Sequence, residues 1–293
     1  MRPLFRTSLL LVALLFACAP TTPAQVEPDA YDNSEEAAEA AEALAHASQR
    51  PPPPVLASFV PRIINNGARN RMRIAITFDA CSSPKQSQFD DRILKTLEAT
   101  ETPATIFLGG AWAKNETDIV RELASNPLFE LGNHTYTHPH MTRLTDDRRV
   151  LDQFLMTQRE VYDLTGQLPK YFRPPFGEID GRVAYWAAQA GLTTINYDLA
   201  SGDPDTKHAT KEKLIEWVRL KARPGSIIVM HINHKKFHTA EALPEIIKRL
   251  RAKGYELVTV DKLLHDTSPP LCVDPNPEQN NPVRFVASRR PAP

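Results

Sequence analysis

Leu131-Gly132-Asn133-His134-Thr135-Tyr136-Thr137-His138-Pro139 decides how this chain is read. Phe129–Gly132 has the apolar content of a short strand, and it runs through a Gly-Asn turn into two histidines four residues apart. A neutral imidazole is a good ligand for zinc or a similar divalent ion, provided several ligands converge on one point. Residues four apart share a face on a helical turn, so one such turn would present both rings to one ion. Isolated His-x-x-x-His pairs also arise by chance, as two surface or core histidines. The surrounding sequence chooses between these readings.

On either side of the histidines, strands and helices alternate from Arg71 to Leu264. Apolar, β-branched runs predict strands at Arg73–Phe78, Ala104–Leu108, Tyr171–Arg173, Thr193–Tyr197, Ser226–Met230 and Tyr255–Thr259. Between them, apolar residues at helical spacing predict helices at Asp91–Glu98, Asp118–Ala124, Asp146–Leu164, Arg182–Ala190, Lys211–Lys221 and Glu241–Ala252, with a last turn at Asp261–Leu264. About seven such repeats argue a parallel α/β sheet, open or closed into a barrel. Asp79, His134, Arg173, Asp198 and His231 each follow a predicted strand. In a parallel α/β barrel such positions collect at one face, where catalytic groups lie. Asp79 or Asp198 alone would pass as a turn former or helix cap, but five strand ends carrying acid, base or imidazole point to a site.

The flanks are of a different composition. Arg2 and Arg6 precede an apolar run, Leu9 to Ala19, that is too short to span a bilayer and reads as an export leader over residues 1–19. Leu15-Phe16-Ala17-Cys18 looks like a bacterial lipobox, with Cys18 as the lipid-modified residue; ordinary cleavage after Ala17-Cys18-Ala19 is the alternative. Both readings export the protein to the envelope, periplasm or cell surface, and lipidation anchors it to a membrane without spanning. Residues 20–60 are rich in Ala, Glu and Pro, including Pro51 to Pro54, and read as a tether. That leaves a domain at 61–266 and a Pro-rich tail at 267–293. The whole chain has 293 residues, with 35 basic residues balancing 35 acidic ones. With no basic block, nucleic acid is excluded as a partner, and the protein is expected to act as a monomer.

Five stretches together resemble the polysaccharide deacetylases, the NodB-homology domain of carbohydrate esterase family 4. They are Thr77-Phe78-Asp79, His134 to His138, Arg173-Pro174-Pro175-Phe176-Gly177, Asp198 through Ser201-Gly202-Asp203-Pro204, and Ile228-Val229-Met230-His231, in the family's order. The resemblance implies a distorted (β/α) barrel and metal-dependent removal of acetyl groups from sugars. It implies Asp79 as the base and His134 and His138 as ligands of a divalent metal, zinc first among candidates. It also implies Arg173 as the holder of the base, His231 as the acid and Asp203 as the residue that charges it. The chemistry agrees: amide hydrolysis needs an activated water, a polarised carbonyl and a proton for the leaving amine. Backbone N–H groups around Phe176, where the family usually has Tyr, would help to hold the oxyanion. Tyr136, Pro174, Phe176 and Asn233 are candidate substrate contacts. Trp112 and Phe237 are further stacking candidates, while His140 and His234 are groove residues or plain loop residues.

The sequence departs from the family at Ala80, where the family has a second Asp that serves as third metal ligand. Three outcomes stay open: water or another side chain fills in, Cys81 replaces the ligand, or metal binding is weak or absent. Ala200 stands where the family often has another Asp. Cys81 has a rival use, because an exported domain left with Cys81 and Cys272 tends to pair them, and a disulfide sulfur is no longer a ligand. The favoured function is N-deacetylation of an N-acetylated cell-wall polysaccharide. A non-catalytic glycan-binding lipoprotein and an O-acetyl polysaccharide esterase are the alternatives.

Overall fold

The computed structural model describes residues 60–82 and 89–265. Nine strands are β1 (Ile63–Ile64), β2 (Arg73–Ala80), β3 (Ala104–Leu108), β4 (Phe129–Asn133), β5 (Tyr171–Phe172), β6 (Thr193–Ile195), β7 (Leu199–Ala200), β8 (Ile227–His231) and β9 (Glu256–Leu257). Their order in the sheet is β1-β6-β5-β4-β3-β2-β8-β7, with β9 on the first residues of β2, and every ladder is parallel. The strands curl into a half-barrel. Near its open side the segment after β1 is tied to the entrance of β8, where Gly67 N–H donates to the Gly225 carbonyl at 2.8 Å. The distorted (β/α) barrel expected from the sequence is therefore the architecture found.

The helices are α1 (Asp91–Ala99), α2 (Gly110–Asn115), α3 (Thr117–Ser125), α4 (Asp147–Thr165), α5 (Gly181–Gln189), α6 (Lys211–Lys221), α7 (Thr239–Ala252) and α8 (Val260–His265). Local chemistry sets their ends. The side chains of Asp90, Asp146, Asp180 and Thr210 accept from the first-turn N–H groups of α1, α4, α5 and α6. Gly166 closes α4 in the left-handed region at φ 72°. None of the described helices is long and apolar enough to cross a membrane.

The central strand β2 is buried along its whole length. Alternation gives its two faces different jobs. Ile74, Ile76, Phe78 and Ala80 enter the large apolar cluster that also holds Leu94 and Leu97 of α1 and Leu243 and Ile247 of α7. Thr77 and Asp79 point the other way and bond to Arg173. One strand thus seals the layer under the helices and begins the site inside the barrel.

Three local expectations need correction. Helix α2 was not foreseen. The two histidines do not stand on a helical turn. Asp198 is not at the site: its carboxylate accepts from Arg69 at 2.6 Å, Ser226 Oγ at 3.1 Å and Ile227 N–H at 2.9 Å, at the entrance of β8. Three residues, Asn196 to Asp198, lead from β6 directly into β7, so Asp198 immediately precedes a strand as well as following one.

Candidate active site

Asp79 and His231 are register partners on the paired strands β2 and β8, near the ends where both strands leave the sheet. Asp79 Oδ1 accepts from Arg173 Nη1 at 3.1 Å. Arg173 is fully buried and over-determined. Its Nη1 also donates to Thr77 Oγ1 at 2.6 Å, its Nε and Nη2 reach the carbonyls of Ile195 and Asn196 at 3.3 Å, and its guanidinium lies 4.2 Å from the centre of the Phe107 ring. Gly132 makes room for that ring, because a Cβ there would sit 2.4 Å from Phe107 Cδ1. A buried pair of this kind costs about 3–5 kcal/mol to break from one side, since the other charge is left unpaired.

The histidine loop is built from side chain-to-backbone bonds. Asn133 Oδ1 accepts from Thr135 N–H at 2.9 Å, and Thr135 Oγ1 from His138 N–H at 3.1 Å. Gln153, on α4, accepts from the N–H groups of both Tyr136 and Thr137 at 2.9 Å. Thr135 and His138 adopt left-handed φ values of 63° and 60°, a conformation that β-branched threonine rarely takes outside sites that require it. The result brings the two imidazoles to 4.9 Å between centroids. His134 Nδ1–H donates to the Arg173 carbonyl at 2.9 Å, which leaves the Nε2 lone pair facing inward, 3.8 Å from Asp79 Oδ2. Burial lowers the pKa of His134 and favours the neutral, ligand-competent form.

Beside these rings lies the Cys81 thiol, with Sγ 3.6 Å from His134 Nε2. The ligand atoms of Cys81, His134 and His138 all fall within 4.8 Å of one another, and their chemistry suits a divalent ion such as zinc. Burial raises the thiol, but the imidazoles of His138 and His231 outweigh it and bring Cys81 down to about 7. Among the described residues Cys81 is a free thiol; its expected disulfide partner Cys272 lies outside them, as does the lipidation candidate Cys18.

On the neighbouring strand β8, His231 Nδ1–H donates to Asp203 Oδ1 at 3.0 Å, and His231 N–H donates to Oδ2 at 2.7 Å. Ser201 and Thr239 hydroxyls complete the carboxylate's shell at 2.9 and 2.7 Å. Burial works against a charged imidazole, yet the Asp203 charge and hydrogen bond carry His231 well above the ordinary imidazole value. This favours the protonated form of His231. His234, buried next to that cation, is pushed down to about 4.

Of the candidate substrate contacts, Phe176 alone offers an open aromatic face. It is 52% exposed, has φ 59°, stacks on His140 at 4.0 Å and stands edge-on to His138 at 4.7 Å. His140 is fixed by Glu178 at 2.9 Å. In the same turn the N–H groups of Gly177 and Glu178 are engaged by the Pro174 and Pro175 carbonyls. Tyr136 and Trp112 are buried, the former with its ring against Gly110, so neither presents a face to a sugar. Pro174 is buried too. Asn233 is buried, and its Nδ2 donates to the Cys81 carbonyl at 2.7 Å. Phe237 is half-buried against His231 and His234. Sequence reasoning missed Gln153 and quoted Thr77 without a role, because both act through contacts made by the fold.

The sequence profile described as "Polysaccharide deacetylase" matches residues 66–195. A peptidoglycan-N-acetylglucosamine deacetylase of Bacillus cereus is 30% identical over 201 residues, covering 68% of this chain and 70% of that protein. The chain belongs to the polysaccharide deacetylase family. Within the family, the peptidoglycan-N-acetylglucosamine deacetylase PgdA of Listeria monocytogenes is 34% identical over 197 residues, 67% of this chain. The chain spans only 40% of that relative's length. Among solved structures, a CE4 family pseudoenzyme of Bacillus anthracis superposes with a TM-score of 0.63 at 29% identity, covering 70% of this chain and 69% of that one. A mutant of that pseudoenzyme with restored enzymatic activity gives 0.62 at 30% identity, covering 70% and 71%.

Proposed function

We propose that this polysaccharide deacetylase removes N-acetyl groups from a cell-wall glycan, with peptidoglycan as the first candidate substrate. The observation that carries the reading is the placement of Asp79 and His231 side by side as one register pair, each locked by its own buried partner. A divalent ion held by His134 and His138, zinc by the nature of the donors, would lower the pKa of a water and polarise the acetyl carbonyl. Asp79 accepts the proton of the attacking water while Arg173 holds the carboxylate in place. His231, kept charged by Asp203, gives its Nε2 proton to the amine as the C–N bond breaks. A C–O bond forms in its place, so the products are acetate and a free amino sugar. The open ring of Phe176 supports a sugar stacked at the mouth of the site. We assign the protein to the bacterial envelope, lipid-anchored through Cys18, from the residues of the leader.

Acetate release from purified peptidoglycan and from N-acetylglucosamine oligomers, with zinc and with chelator, tests the activity. Release that requires metal is the expected result. A folded protein that releases none from either substrate would sink it. A glycan-binding role is the second reading, favoured by Ala80 and by the pseudoenzyme among the structural relatives. Asp79→Asn separates the two: an enzyme loses turnover, whereas a binder keeps its affinity for the glycan.

A further inference from the structure

We infer that the Cys81 thiolate is the third protein ligand of the metal, in place of the carboxylate missing at Ala80. The inference deepens the functional reading and rests on the same site. Strand β2 stays extended through Ala80, so its alternation sends Ala80 into the apolar layer under the helices and carries Cys81 to the barrel face with Thr77 and Asp79. A side chain at position 80 in this backbone therefore points away from the histidines, and the residue that points at them is Cys81.

The spacing fits the chemistry. Tetrahedral zinc with a Zn–S bond of about 2.3 Å and a Zn–N bond of about 2.0–2.1 Å requires sulfur and nitrogen to lie about 3.6 Å apart. Cys81 Sγ and His134 Nε2 are 3.6 Å apart. This triad is the one cluster of its kind identified among the described residues. The backbone on both sides of the sulfur is fixed: Gly109 N–H donates to the Ala80 carbonyl at 2.9 Å, and Asn233 Nδ2 to the Cys81 carbonyl at 2.7 Å. The His134 ring is oriented by the Arg173 carbonyl, as metal-bound imidazoles usually are.

Two consequences follow from exchanging a hard carboxylate for a soft thiolate. The site selects zinc or cobalt over magnesium and manganese. Binding needs the reduced sulfur, so oxidation of Cys81 abolishes it.

The test uses the full-length protein loaded with cobalt(II) as a spectroscopic stand-in for zinc. A near-ultraviolet thiolate-to-cobalt charge-transfer band is expected, and Cys81→Ser should lose it and weaken zinc binding by about a hundredfold or more. Should that variant fold poorly, the wild-type protein supplies an independent readout. Zinc should slow iodoacetamide alkylation of the Cys81 peptide, followed by mass spectrometry, by about tenfold or more, because a metal-bound thiolate is a poor nucleophile. A cobalt complex without the band, or alkylation equally fast with and without zinc, overturns the assignment. Metal-dependent acetate release without the band would retain the activity and remove the ligand. The band without acetate release would retain the ligand and remove the activity.

Discussion

Asp79, His231 and Ala80 each carry a separate expectation that one substitution checks. Asp79→Asn keeps the shape of the Arg173 partner but cannot take a proton. Turnover should fall by about 10²–10⁴, measured as kcat for acetate release, while glycan affinity holds. Asp203→Asn removes the charge that raises His231. The acid form of His231 is needed, so activity holds below its folded pKa and is lost as pH rises through it. The variant's alkaline limb should move to lower pH in a pH–rate profile, and an unchanged limb would remove His231 from the role of acid. The same pair stabilises the fold fully below the unfolded imidazole value of about 6.5, and that contribution fades as pH rises through the raised folded value. Ala80→Asp restores the family's residue but puts a carboxylate into an apolar cluster. It should destabilise the protein in denaturant titration by more than the about 1–3 kcal/mol of an uncharged polar group, without replacing Cys81 as ligand. The residues that could be read from sequence are those whose type is itself the signal: an acid, an arginine and imidazoles, at strand ends. Thr77 and Ser201 stand inside the motif stretches, but their roles, like that of Thr239, were not legible: a hydroxyl is common everywhere, and the partners of Thr77 and Thr239 lie far along the chain.

At the scale of the element, long apolar periodicity was readable and short, contact-determined pieces were not. Strands β2, β3 and β8 and helices α1, α4, α6 and α7 follow from alternation, helical spacing and caps. Helix α2 has six residues starting at the second of two glycines, too few to show a period, and it is held by N–H bonds from Gly110 and Ala111 to the Thr135 and Tyr136 carbonyls. The spacing of His134 and His138 suggested a helical turn, but the Asn133, Thr135 and Gln153 side chains take the backbone bonds that a helix would need. That dependence makes α4 a support of the site. Gln153→Ala leaves two N–H groups without their acceptor and should cost about 1–3 kcal/mol in a denaturant titration. Zinc affinity, measured by chelator competition, should fall by about 10–100-fold, as for other losses of support behind a ligand. A variant with unchanged zinc affinity would show that the loop holds its shape without α4.

At the scale of the whole molecule, the barrel is one part of a chain whose proposed leader and tether would concern placement rather than chemistry. A domain held at a membrane by a tether meets a wall polymer at a local concentration set by the tether's reach, not by the bulk amount of protein. Soluble fragments diffuse to the domain equally well whether it is anchored or free. The anchor should therefore matter for the intact wall and not for oligomers. Cys18→Ser is expected to abolish incorporation of labelled palmitate and to release the protein from the membrane fraction. It should lower the deacetylated fraction of sacculi isolated from cells, while leaving the purified protein's kcat/KM on soluble oligomers unchanged. Palmitate incorporation that survives the substitution would remove Cys18 as the anchor. Sacculi deacetylated to the wild-type extent by a released protein would show that the tether is dispensable for reaching the wall.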